Sequence, residues 1–80
     1  MAWFVYVIKS DIDGRLYNGM SEDVSARLMI HNKGKVSSTK AYRPWKLVYS
    51  EPCEDSVKAR EREKYFKSSK GRDFLKSLGI

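Results

Sequence analysis

Five side chains have types and spacings that could do chemistry together: Tyr6, Tyr17, Arg27, His31 and Glu63. An imidazole exchanges protons near neutral pH, whereas a free phenol titrates near ~10. A planar guanidinium grips phosphate-like anions, and a carboxylate aimed at a sheet among such groups suits a hard cation. Taken singly, each residue is ordinary. His31 fits a solvated helix face, Arg27 fits a phosphate contact or a snorkelling side chain, and the two tyrosines fit strands that fill the edge of a core. Glu63 fits an ion pair with Lys67 or Arg60, worth roughly 0.2–0.5 kcal/mol. The joint spacing is what sets the group apart.

The elements that must position these groups follow from local pattern. Trp3-Phe4-Val5-Tyr6-Val7-Ile8 is dense in β-branched and aromatic residues and predicts a largely buried strand. Asp13-Gly14 signals a hairpin, either as a two-residue type I′ turn or within a four-residue loop from Asp11 to Gly14. Arg15 to Gly19 is the partner strand, and either loop leaves Tyr6 and Tyr17 on one face. Gly19 lets the backbone turn or approach something closely. Ser21 or Asp23 caps a helix on which Val24 and Leu28 form the apolar stripe, with Arg27 and His31 four apart beside it. Asn32-Lys33-Gly34 ends that helix. Lys35 to Arg43 lacks periodicity and reads as a flexible loop. Trp45 to Ser50 alternates as a third strand with Trp45, Leu47 and Tyr49 on one face, closed by Glu51-Pro52. Asp55 or Ser56 caps a second helix with the stripe Ala59, Glu63, Phe66. After Lys70-Gly71, the residues Phe74, Leu75 and Leu78 line a short terminal helix. The expected architecture is a single α+β domain, residues 1–80, with a small three-stranded antiparallel sheet flanked by helices in the order ββαβαα.

Composition narrows the partners. The chain has 80 residues and a net charge of +6. Between Val24 and Ser50 there is no acidic residue, and that window holds Arg27, Lys33, Lys35, Lys40, Arg43 and Lys46. Basic and acidic residues cancel elsewhere, so the whole net charge lies in one stretch, the footprint of a polyanion-binding surface. Tyr42, Trp45 and Ser37-Ser38-Thr39 are placed to add stacking and phosphate hydrogen bonds. No apolar run approaches the ~20 residues of a membrane span, and Met1-Ala2-Trp3 lacks the pattern of a secretory leader. The single Cys53 gives neither an internal disulfide nor a metal-site spacing. A cytoplasmic protein without a membrane partner is expected.

Taken together, these residues resemble the GIY-YIG nuclease family, particularly its small stand-alone bacterial members. Phe4-Val5-Tyr6 stands where the first family triplet would be and Tyr17-Asn18-Gly19 where the second would be. Ten residues separate Tyr6 from Tyr17, Arg27 lies ten after Tyr17, and His31 follows four later. Ala59-Arg60-Glu61-Arg62-Glu63-Lys64 looks like the helix that carries the family's metal-binding glutamate. Ser38-Thr39-Lys40, Arg43-Pro44 and Lys46-Leu47-Val48-Tyr49 look like the intervening segment of the small members. The chain departs from the pattern in Phe4 for the first glycine, in Asn18 for an apolar residue, and in Met20 where the similar excision-repair subunit has lysine. Asn18 and Asn32 are the only asparagines, so the late asparagine of many members has no counterpart.

The resemblance implies a metal-dependent DNA endonuclease, structure- or shape-directed and of the DNA-repair kind, in which water attacks a phosphodiester in line. Glu63 would be the only protein ligand of Mg²⁺ (or Mn²⁺), a cation that keeps most of its waters. Arg27 would neutralise the phosphate, Tyr6 would activate water, Tyr17 would orient it, and His31 would relay the proton for one of the two tyrosines. Lys33, Lys35, Lys40, Arg43 and Lys46 would hold the DNA backbone, with site choice supplied by DNA shape or a protein partner. Two alternatives stay open. One is a non-catalytic nucleic-acid-binding module on the same scaffold, and the other is a small basic component of a ribonucleoprotein. Metal-dependent nicking separates the enzyme from both.

Overall fold

In the computed structural model, which describes residues 2–80, three strands and four helices form one α+β layer system. The strands are β1 (Trp3–Ser10), β2 (Leu16–Ser21) and β3 (Trp45–Cys53), arranged β2-β1-β3 with both pairings antiparallel. The helices are α1 (Val24–Asn32), α2 (Ser37–Lys40), α3 (Ser56–Lys67) and α4 (Ser69–Ser77). The order ββαβαα holds, with the single turn α2 added before β3.

β1 is buried from Val5 through Ile8 because helices cover both faces of the sheet. Val5 and Val7 pack with Ala59, Phe66 and Leu75 of α3 and α4. Tyr6 and Ile8 point the other way and pack with Trp45, Tyr17, Tyr42 and the α1 residues Val24 and Leu28. The hairpin uses the four-residue loop. Ser10 N–H donates to the Arg15 carbonyl and Gly14 N–H to the Ser10 carbonyl, each at 2.9 Å. A type I′ turn is excluded because Gly14 alone in the loop has a positive φ, 77°. The Asp13 carboxylate instead accepts from the Arg15 N–H at 3.1 Å and from Arg15 Nε at 2.8 Å.

β3 corrects two expectations. Val7 pairs with Tyr49 and Ile8 with Leu47, which leaves Val48 as an extra residue in a β-bulge. A bulge reverses the alternation, so Trp45 packs on the Tyr6 face and Tyr49 on the Phe66 face rather than together. Nor do Glu51-Pro52 close the strand: Pro52 pairs with Phe4 and Cys53 with Trp3. Proline is tolerated there because β3 is an edge strand.

The segment read as a flexible loop also departs from expectation. The Val36 carbonyl accepts from the N–H groups of Thr39 and Lys40 at 3.1 and 3.0 Å, forming the turn of α2. Trp45 Nε1 donates to the Thr39 carbonyl at 2.8 Å, and Thr39 is fully buried. A single turn has no period to read, and its burial is decided by partners far along the chain.

Capping follows the physical chemistry of the helix start. The Asp23 carboxylate accepts from Ala26 N–H at 3.0 Å, and that of Asp55 accepts from Lys58 N–H at 2.9 Å. Gly71 does not punctuate but lies inside α4, where a Cβ would stand 2.0 Å from the Tyr65 carbonyl oxygen. A bidentate pair fixes α3 against β3. Arg62 Nε and Nη2 donate to the Glu51 carboxylate at 2.6 and 3.0 Å, and the Tyr49 hydroxyl donates to it at 2.7 Å. Arg62 holds the Glu51 carboxyl below its usual range.

Candidate active site

Tyr6 pairs with Gly19 across the sheet, and its ring lies over that glycine. A Cβ on Gly19 would stand 2.6 Å from Tyr6 Oη and 2.9 Å from Cζ, so only glycine leaves room for the phenol. Tyr17 pairs with Ile8 and therefore shares the Tyr6 face. Its ring meets His31 edge-on at 5.2 Å and Trp45 at 6.3 Å between centroids.

His31 is fully buried rather than on a solvated helix face. Its Nε2 lies 2.9 Å from Tyr6 Oη, and its Nδ1 lies 2.9 Å from Thr39 Oγ1. Between the two tyrosines, His31 therefore bonds Tyr6. Thr39 had been expected as a surface phosphate contact; it is instead an interior partner of the imidazole. Arg27, one turn before His31, is half-buried beside Tyr6 and pairs with no carboxylate among the described residues.

Burial raises the Tyr6 phenol above its ordinary value, against the pull of the Arg27 guanidinium. Burial and then the Arg27 charge lower His31 below 6.5. Both shifts favour neutral groups in the folded state, which sets two limits on stability. For His31, the unfolded chain binds the proton more readily, so its contribution is complete above pH 6.5 and is lost as pH falls toward the lower folded value. For Tyr6, the contribution is complete below pH 10.0 and is lost as pH rises through the higher folded value. Thermal melts of the parent should therefore decline on both sides of this window, and His31→Gln should flatten the acid-side decline just below pH 6.5. A His31→Gln melt profile identical in slope to the parent would contradict the assignment.

Glu63 stands on the helix that packs against the opposite face of the sheet. α3 packs on the Val5 and Val7 side, and the Glu63 charge adds only slightly to the upward push that burial gives the Tyr6 phenol. The carboxylate is half-buried and lies 3.8 Å from Lys67 Nζ, so the expected i,i+4 pair is present in a loose form. Asn18, the unusual middle residue of its triplet, has a structural task. Its Nδ2 donates to the Glu63 backbone carbonyl at 2.8 Å, tying β2 to the turn of α3 that carries the carboxylate. Neither Asn18 nor Thr39 had a sequence signal for these bonds, which span 45 and 8 residues.

Lys33, Lys35, Lys40, Arg43 and Lys46 are all exposed, along the segment from the end of α1 to the start of β3. Lys46 lies 3.8 Å from the Asp11 carboxylate, an exposed pair of little energetic weight. Tyr42 and Trp45 are not free to stack on bases. Arg15 sits 3.5 Å over the Tyr42 ring, and Trp45 is buried.

Among the described residues, no three or more His, Cys, Asp or Glu side chains cluster to cage a metal. The donor chemistry at the site is one carboxylate, that of Glu63, and this fits a hard cation whose other ligands are waters and substrate oxygens.

A small antiparallel sheet with two tyrosines, an arginine and a histidine on one face, and a glutamate from the helix across it, defines a GIY-YIG-type domain. The family model described as the GIY-YIG catalytic domain matches residues 2–76. The chain belongs to the GIY-YIG family, a family of nucleases. It is 41% identical over 76 residues to a UPF0213 protein of Staphylococcus epidermidis, covering 94% of this chain and 92% of that one. It is 46% identical over 61 residues to a UPF0213 protein of Staphylococcus aureus, covering 75% and 73%. The solution NMR structure of a UPF0213 protein from Bacillus halodurans matches with a TM-score of 0.58 and 30% identity, over 98% of this chain and 85% of that one.

Proposed function

We propose that this protein is a divalent-metal-dependent DNA endonuclease whose substrate is selected by shape rather than by base sequence. The observation that carries this reading is the buried Tyr6–His31 hydrogen bond beside an arginine that no carboxylate neutralises among the described residues. Packing alone has no use for an uncompensated guanidinium next to a phenol and an imidazole. Arg27 binds the scissile phosphate through its planar fork. Tyr6 Oη takes a proton from the attacking water while giving its own to His31 Nε2, so the charge left on the protein is one imidazolium. The water oxygen bonds to phosphorus in line as the opposite P–O bond breaks. Tyr17, whose hydroxyl makes no hydrogen bond within the described residues, orients the water. Glu63 is the residue that would hold Mg²⁺ or Mn²⁺, and the bound ion would supply Lewis-acid stabilisation of the phosphate and leaving oxygen.

No helix among the described residues is long and apolar enough to cross a membrane. We place the protein's work on DNA in the cytoplasm, in repair-type processing, with site choice aided by a partner chain. The deciding experiment incubates the protein with supercoiled, single-stranded, flapped and branched DNA, with Mg²⁺ or Mn²⁺ and with chelator. Cleavage that needs the cation supports the reading. Binding without cleavage of any of the four would favour a non-catalytic module.

The exposed cations Lys33, Lys35, Lys40, Arg43 and Lys46 hold the sugar-phosphate backbone in this reading. Lys35→Ala with Lys40→Ala should weaken binding to unrelated sequences alike. The slope of log K against log salt should flatten by up to about 0.9 per lost duplex-phosphate contact. Unchanged slope and affinity would reduce this segment to a solvated surface.

A further inference from the structure

We propose that Thr39 is a positioning residue that fixes the tautomer of His31, keeping Nε2 free to accept the Tyr6 phenolic proton. The proposal rests on the nuclease reading only for its kinetic consequence. Its structural content stands on three hydrogen bonds in series, the two at the imidazole buried.

Thr39 and His31 are both fully buried, so water does not supply alternative partners to the imidazole. Thr39 Oγ1 has one proton to give, and it donates to the Val36 carbonyl at 3.3 Å. The same oxygen lies 2.9 Å from His31 Nδ1 and, its proton being committed, acts there as acceptor. Nδ1 must then carry the imidazole hydrogen. Nε2 is left with a lone pair, 2.9 Å from Tyr6 Oη, and accepts the phenolic O–H. In this arrangement every proton of the series has an acceptor. Reversing the series would make Nε2 a donor to Tyr6 Oη and leave the phenolic proton with no side-chain hydrogen bond among the described residues. The neighbouring Arg27 guanidinium is a donor and also favours a phenol that directs its proton elsewhere, toward His31.

The backbone holds Thr39 in place independently of its hydroxyl. Its carbonyl accepts from Trp45 Nε1 at 2.8 Å and from Tyr42 N–H at 3.1 Å. The Val36 carbonyl also accepts from the Thr39 and Lys40 N–H groups. Thr39→Val thus preserves shape and backbone bonds while removing the acceptor for Nδ1–H. Thr39→Ser keeps the acceptor and loses only a methyl group.

His31 is the sole histidine, so its ring nitrogens can be read without ambiguity in the ¹⁵N-labelled full chain. At a pH above 6.5 the parent should show a protonated Nδ1 and an unprotonated Nε2. Thr39→Val should shift the ring toward Nε2–H or a mixture of tautomers, and Thr39→Ser should restore the parent pattern. On cleaved DNA, Thr39→Val should lower kcat by roughly 10–100-fold, as for partners that orient a functional imidazole, with KM little changed. Thr39→Ser should recover most of the loss. A parent ring protonated on Nε2 would overturn the proposal, and that measurement decides even if Thr39→Val does not fold. An unaltered tautomer in folded Thr39→Val, or an altered tautomer with unaltered kcat, would overturn it equally. Should no DNA be cut at all, the nuclease reading fails while the tautomer still decides the role of Thr39.

Discussion

Glu63→Gln is expected to abolish cleavage in Mg²⁺ or Mn²⁺, by on the order of 10²–10³-fold or more, the scale for losing an electrostatic stabiliser of a reacting phosphate. The substitution preserves shape and most hydrogen bonding but removes the charge that would hold the cation. DNA binding in chelator should be unchanged, or slightly stronger because one repulsive charge is gone. Stability should barely move, since the ion pair lost among the described residues is the loose contact with Lys67, whose side chain is 58% exposed. The anchor from Asn18 is to the Glu63 backbone carbonyl and survives the change. Gel nicking against a Mn²⁺ titration, with a parallel binding assay, measures each of these. A Glu63→Gln protein that nicks DNA at the parent rate would end the metal-ligand assignment.

Tyr6→Phe should cut roughly 10²–10⁴-fold more slowly, the usual contribution of a positioned proton-transfer group. The ring that packs over Gly19 is kept and the hydroxyl is lost. The same change leaves His31 Nε2 buried without its donor. An unpaired buried acceptor costs about 1–3 kcal/mol, and each kcal/mol lowers Tm by ~4–8 °C in a domain of this size. Tyr17→Phe provides the contrast. Its hydroxyl has no hydrogen-bond partner to strand among the described residues, so it should slow cleavage without lowering Tm. Parent-rate cleavage by Tyr6→Phe would place the base elsewhere.

The shared face of Tyr6 and Tyr17 was legible because strand alternation is rigid and either hairpin loop preserves parity. The pairing of Arg27 with His31 on α1 was legible for the same kind of reason, a fixed helical period. What escaped depended on contacts that no local period encodes. The burial of Thr39 is set by Trp45 and His31 meeting it from two directions, so a polar Ser-Ser-Thr run gave the opposite impression. The face assignment along β3 failed at Val48, since a bulge adds a residue without any glycine to announce it. Glu63 is half-buried on α3, the helix that packs against the Val5 and Val7 face. That placement, across the sheet from Arg27, follows from layer packing, which the stripe Ala59, Glu63, Phe66 does not specify.

The extra residue at Val48 makes β3 a shared member of both apolar clusters, with Trp45 serving one and Tyr49 the other. Neither cluster is large enough to stand alone in a chain of 80 residues. A strand common to both cannot detach from one without exposing the other, and β1, buried on its two sides, is bound by the same condition. The bulge therefore acts as a thermodynamic coupler, merging two small cores into one all-or-none unit. Tyr6 and Glu63, which come from opposite sides of the sheet, consequently lose their geometry together or not at all.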